Sequence, residues 1–196
     1  FVFAFLLTFF ASSIFTPISS TNAEENTTDN TSADGYSLTL STASTVNLDL
    51  VVGPVDVMTV ALGNVNVKTN SPGYRLYIGM TGNTTALNGN GISGSIPATN
   101  GTLSSPASLT RGTWGYAVPS STAHLVSNGF SGSYTELSSA MPDNTKKFAI
   151  PPVSSNNPDL LATSTTATTS AGDTYPIYYG VVANSTTAQG SYTNNV

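Results

Sequence analysis

Along most of this chain the apolar residues recur at every second position and not at helical spacing, which restricts the fold more than any other feature. The pattern is clearest from Asn64 to Met80. There Val65 and Val67 alternate with Asn64, Asn66 and Lys68, and Tyr74, Leu76, Ile78 and Met80 alternate with Arg75, Tyr77 and Gly79. Side chains of a strand point to opposite faces in turn, so each half buries one face and wets the other. Between the halves lies Thr69-Asn70-Ser71-Pro72-Gly73. Proline presets φ and glycine accepts positive φ, so the spacing predicts a tight turn and a β-hairpin.

Composition points the same way. Charged residues are 8% of the 196, against about 25% in ordinary globular chains. Thr, Ser, Asn and Gly replace them, and these suit turns and half-exposed strands better than helix interiors. No long stretch of the body repeats at i, i+3, i+4, i+7. The expected fold is all-β, an antiparallel β-sandwich of immunoglobulin-like or jelly-roll-like type, preceded by an N-terminal hydrophobic segment.

That segment is Phe1 to Ile18, almost wholly apolar over its first ten residues and followed by small polar residues up to Ala23. An apolar run of this size before small residues is the pattern of a secretory signal peptide. Residues 1–23 are therefore expected to be a signal peptide or a retained membrane anchor, membrane-associated before any cleavage, with a start upstream of Phe1. Residues 24–33 (EENTTDNTSA) hold no large apolar group and predict a disordered spacer. Residues 34–196 predict a single β-sandwich whose last strand continues past Val196.

Within that domain, strands are expected at Tyr36–Leu40, Val46–Val52, Val55–Leu62, the Asn64–Met80 hairpin, Trp114–Val118, Lys146–Ile150 and Thr174–Ala183, with a final one opening after Gly190. Gly63-Asn64 is read as a break. Thr81 to Ser108 is rich in Gly, Asn, Ser and Thr and predicts a long loop, in which Ile92 and Ile96 anchor a short edge strand. Leu160–Gly172 is read as a weak strand or a second loop.

Several function classes find no residues to support them. The five basic residues, Lys68, Arg75, Arg111, Lys146 and Lys147, are scattered over a chain of net charge −5, so no basic face exists to neutralise phosphates and nucleic acid is not an expected partner. With no cysteine, disulfides, thiolate nucleophiles and thiolate-bound zinc are excluded; a secreted chain without cysteine is more typical of bacteria. His124 is the sole histidine and has no Cys, Asp or Glu beside it in the sequence, which predicts a structural role. No G-x-S-x-G elbow, calcium loop or phosphate-binding glycine loop is present. No enzyme activity, cofactor or metal is expected. The one pair of residues suited to a ligand is Trp114 and Tyr116, two apart on one strand face, where exposed rings stack on a sugar; the alternative for Trp114 is a place in the core.

Three segments in order, Val65-Asn66-Val67-Lys68-Thr69-Asn70-Ser71-Pro72-Gly73-Tyr74-Arg75-Leu76, then Thr113-Trp114-Gly115-Tyr116, then Tyr175 to Val196, resemble uncharacterised secreted surface proteins of candidate-phyla bacteria of the Saccharibacteria type. The resemblance implies an extracellular β-sandwich and carries no catalytic residues. The expected function is that of a non-catalytic, exported cell-surface module, structural or adhesive, meeting a cell-surface glycan or protein through Trp114, Tyr116 and the Thr81–Ser108 loop. A pilin-like or donor-strand filament subunit and a carbohydrate-binding domain are the alternatives.

Overall fold

A computed structural model describes residues 2–8, 35–43, 45–51, 53–126, 129–153 and 157–196. Among them there is no helix, and the chain forms twelve strands. They are β1 (Val2–Thr8), β2 (Leu38–Thr42), β3 (Thr45–Val51), β4 (Val57–Thr69), β5 (Tyr74–Ile78), β6 (Leu87–Asn90), β7 (Ser95–Ile96), β8 (Thr113–Ala117), β9 (Leu137–Ala140), β10 (Asp159–Ser164), β11 (Asp173–Ala183) and β12 (Ser191–Asn195). One sheet runs β3-β1-β12-β6-β7, a second runs β2-β4-β11-β8, and β10 pairs with β5 in a small third sheet. The all-β sandwich expected from alternation is the observed fold.

The centre of the second sheet is the antiparallel ladder of β4 and β11, eleven residue pairs from Val57↔Ala183 to Val67↔Asp173. The other edge of β4 is shared: β2 covers Val65 to Thr69, and β9 meets Met58 and Val60. Every second residue of β4 from Gly63 to Thr69 is buried, as period-two alternation requires. From the opposite sheet, β3 presents Val46, Leu48 and Leu50 to the same interior, all buried. A cross-sheet hydrogen bond ties the layers, since the buried Thr59 hydroxyl on β4 donates to the Asp49 carbonyl of β3 at 2.9 Å.

Three expectations are corrected. Gly63-Asn64 does not break the chain: β4 runs through both, because β11 supplies a partner at each position, Ile177 to Gly63 and Pro176 to Asn64. Asn64–Met80 is not a hairpin. Its halves are strands, but β4 pairs with β2, β9 and β11, and β5 pairs with β10. Both edges of β4 at Thr69 are already taken, by Leu38 on one side and by hydrogen bonds with Thr168 on the other. The Thr69–Gly73 stretch is therefore a corner that carries the chain from one sheet to another. Glycine is needed there, because a Cβ on Gly73 would lie 2.6 Å from the Ser164 carbonyl oxygen. The Lys146–Ile150 strand shrinks to two bridge residues, Phe148 and Ala149.

The Thr81–Ser108 stretch holds a small hairpin, β6 and β7, turned by Gly91 and Gly94 at positive φ. Its β7 is the edge strand anticipated at Ile96, which is buried. Of the N-terminal hydrophobic segment, Val2–Thr8 is an extended strand between β3 and β12. The remainder of residues 1–23 and the 24–33 spacer lie outside the described residues.

Replacing Leu48 by alanine removes a side chain 1% exposed at the sheet interface and is expected to cost about 2–5 kcal/mol, read from the denaturant midpoint at unchanged m-value. Gly180→Ala is expected to cost about 1–3 kcal/mol by overpacking, because the new Cβ would lie 2.6 Å from the Phe148 ring.

Candidate functional site

The pair singled out for ligand stacking is not available for it. Trp114 and Tyr116 are both 0% exposed. They lie on β8, the last strand of the second sheet and therefore one of its edges. The chain covers that edge. Residues 97–99 run alongside Trp114, with Trp114 N–H donating to the Pro97 carbonyl and Thr99 N–H to the Trp114 carbonyl, while Ala149 exchanges both backbone bonds with Tyr116. The indole N–H of Trp114 donates to the Thr85 carbonyl at 2.9 Å. The Thr81–Ser108 stretch, expected as a contact loop, thus spends Thr85 and residues 97–99 on sealing the aromatic strand. Trp114 belongs to the core, as its alternative reading has it, and Tyr116 belongs there too.

The buried Tyr116 hydroxyl has no hydrogen-bond partner among the described residues, and burial pushes its pKa far above the ordinary tyrosine range. An unpaired buried hydroxyl costs its full desolvation. Tyr116→Phe is accordingly expected to leave stability unchanged or raise it by about 1 kcal/mol, measured by thermal or denaturant unfolding.

A polar constellation does form, out of residues that are far apart in sequence. Tyr74 opens β5, Asp173 and Tyr175 open β11, and His124 lies in the loop after β8. The Tyr74 hydroxyl donates to Asp173 Oδ2 at 2.5 Å. It is 2.6 Å from the Tyr175 hydroxyl, which must then donate to it. His124 Nε2 stands 3.9 Å from the same Oδ2. The order Tyr175, Tyr74, Asp173 is a one-way hydrogen-bond chain ending on a carboxylate oxygen, with the imidazole beside it at the surface. His124 has φ 62° and is the one described non-glycine residue at positive φ, a conformation that histidine adopts more readily than most side chains. Its carbonyl accepts from Thr163 N–H at 2.9 Å, and with the Leu125↔Ala162 bridge and the Val126 N–H to Leu161 carbonyl bond this lays residues 124–126 alongside β10. Burial first, then the bonds to Asp173 and Tyr175, hold the Tyr74 hydroxyl protonated far above its usual pH, and burial raises Tyr175 as well.

His124 is thus not the isolated histidine that its sequence neighbours imply. No local signal exists for the pairing, since Asp173 arrives only when β11 and β5 converge. The arrangement positions and clamps; among the described residues no group of three or more His, Asp or Glu is placed to hold a metal ion. A second polar tie joins the loops at the far end of β4, where Asp56 Oδ1 accepts from Arg111 Nε at 2.6 Å and from Asn184 Nδ2 at 2.9 Å.

The surface next to the Asp173 constellation is the outer face of the small sheet. Arg75 and Tyr77 point away from the buried Leu76 and Ile78. Tyr77 is 47% exposed and lies opposite the half-buried Leu160, with Val126, also 47% exposed, on the neighbouring segment. Tyr77 is the exposed aromatic residue that the sequence places, by alternation alone, on the face opposite Leu76; the stronger aromatic character of Trp114 drew attention elsewhere.

Comparison of the chain with protein families, curated proteins and solved structures returns no match in any of the three. No helix of the described residues is long and apolar enough to cross a membrane.

Tyr74→Phe removes a donor to Asp173 and an acceptor from Tyr175, and is expected to cost about 1–3 kcal/mol. Six tyrosines, Tyr74, Tyr116, Tyr134, Tyr175, Tyr179 and Tyr192, have raised values. A group whose folded value exceeds its unfolded one contributes stability below the unfolded value, about 10 for tyrosine, and loses it as pH rises toward the folded value. Stability should therefore fall above about pH 10, and these hydroxyls should ionise together with loss of the β-sheet circular dichroism rather than before it.

Proposed function

We propose that this chain is a non-catalytic, exported β-sandwich of the cell surface, acting as a structural or adhesive module. The observation that supports the adhesive part is the outer face of the small sheet, where Arg75 and the exposed ring of Tyr77 flank an apolar strip formed by Leu160 and Val126. An exposed aromatic face beside a cation and hydroxyl-bearing residues suits a glycan or a protein loop. This moves the expected contact from Trp114 and Tyr116 to Tyr77. Low charge and dense Ser, Thr and Asn accord with an extracellular surface, and the apolar N-terminal segment accords with export.

A second reading, a filament subunit joined by strand donation, is favoured by one observation: β1 enters the first sheet from a remote part of the chain.

Binding of the purified chain to intact cells and to immobilised glycans tests the adhesive role. Tyr77→Ala is expected to lower retention at least tenfold with unchanged melting temperature, whereas Trp114→Ala is expected to unfold the domain. If the chain is recovered only from the cytoplasm, or if Tyr77→Ala binds as well as the parent, the reading fails.

A further inference from the structure

Strand β3 carries Val46, Leu48 and Leu50 into the core, yet it reaches its own sheet through a single neighbour. Among the described ladders, β3 pairs only with β1, over seven residues from Val2↔Val51 to Thr8↔Thr45. On its other edge β1 pairs with β12 over four residues, Phe5↔Tyr192 to Thr8↔Asn195. That ladder is parallel, and every other strand ladder described is antiparallel. Neighbouring antiparallel strands arise from chain reversal, whereas a parallel strand must arrive over a long connection. Between β1 and β12 that connection is the whole intervening body, and the segment that ties β1 to this body, at β2, is residues 9–37, 29 in all. Fully extended it spans about 100 Å, against a diameter of about 40 Å for a domain of this size. It includes the polar, uncharged-to-acidic run EENTTDNTSA, which has no apolar side chain large enough to hold it to the body. A tether of that length reaches a neighbouring body as readily as its own.

We infer that the gap between β3 and β12 is a strand-acceptor site, and that its partner is Val2–Thr8 of a second copy of this chain. The inference deepens the filament reading by naming donor and acceptor, and it is independent of the glycan-contact face. Backbone hydrogen bonds on both edges supply the attachment, as in strand addition to any open sheet. Reciprocal exchange closes a dimer. One-way donation passes each strand to the next body and gives an open, head-to-tail chain. The site requires that residues 2–8 stay attached to the exported protein.

The absence of cysteine makes a direct test available. Ala4 and Asp49 are register partners, as are Leu6 and Asn47, and antiparallel partners lie about 4.5–5.5 Å apart at Cα, within reach of a disulfide. Full-length chain carrying Ala4→Cys is mixed with full-length chain carrying Asp49→Cys, unfolded, refolded together and oxidised. The expected result is a disulfide-linked species of twice the chain mass containing one of each variant, reproduced by the Leu6→Cys and Asn47→Cys pair. If the mixtures stay monomeric while the Ala4→Cys/Asp49→Cys double variant closes within single chains, the strand is donated in cis and the inference is overturned. If neither variant set cross-links although circular dichroism shows folded protein, the acceptor site itself is refuted. An exported protein beginning at Glu24 would also overturn it, and would leave the surface reading standing.

Discussion

Everything in the body of this protein depends on β4 having a partner along both edges. A strand hydrogen-bonded on both sides leaves few backbone groups unsatisfied; along β4, β11 pairs with Val57 to Val67 on one edge, while β2 covers Val65 to Thr69 and β9 meets Met58 and Val60 on the other. From this follow the separation of β5 into a different sheet, the corner at Thr69–Gly73, and the position of β11 between β4 and β8. Once β11 is in place, Asp173 and Tyr175 fall next to Tyr74, and the polar constellation exists. The site is a by-product of how the central ladder ends.

Alternation made the strands legible in the sequence. Val46, Leu48 and Leu50, Val65 and Val67, and Tyr175, Ile177, Tyr179 and Val181 are each spaced two apart, and all are buried. Pairing was not legible in the same way. Period two says which face of a strand is apolar and nothing about which strand lies beside it, so the run from β4 to β5 read as a hairpin although its halves belong to different sheets. Gly63-Asn64 reads as a break for a related reason: local propensity disfavours strand there, but eleven pairs with β11 override it.

The site was the least legible part. Trp114 stands out as the sole tryptophan, with Tyr116 two residues on, but size is also the reason that the fold buries them. Their burial requires residues 97–99 and 148–149 to close over β8, a tertiary event with no local signature. His124 lacks a carboxylate in its own segment and acquires Asp173 from 49 positions away, as the residue numbers show. Tyr77, by contrast, is placed on the outward face by the same alternation that buries Leu76, but an outward strand residue is ordinary and carries no signal of its own.

The β4–β11 ladder also sets the order of events during synthesis. Val57 pairs with Ala183 and Val67 with Asp173, so the central sheet cannot close until more than a hundred residues after β4, as far as Ala183, have left the ribosome. Contacts of such long sequence separation make folding slow. Until then the inward-facing valines of β4 stay open to any chaperone that meets them. A long-lived unfolded interval is a hazard for a protein that must fold where it is made, and an advantage for one that is threaded elsewhere before it folds.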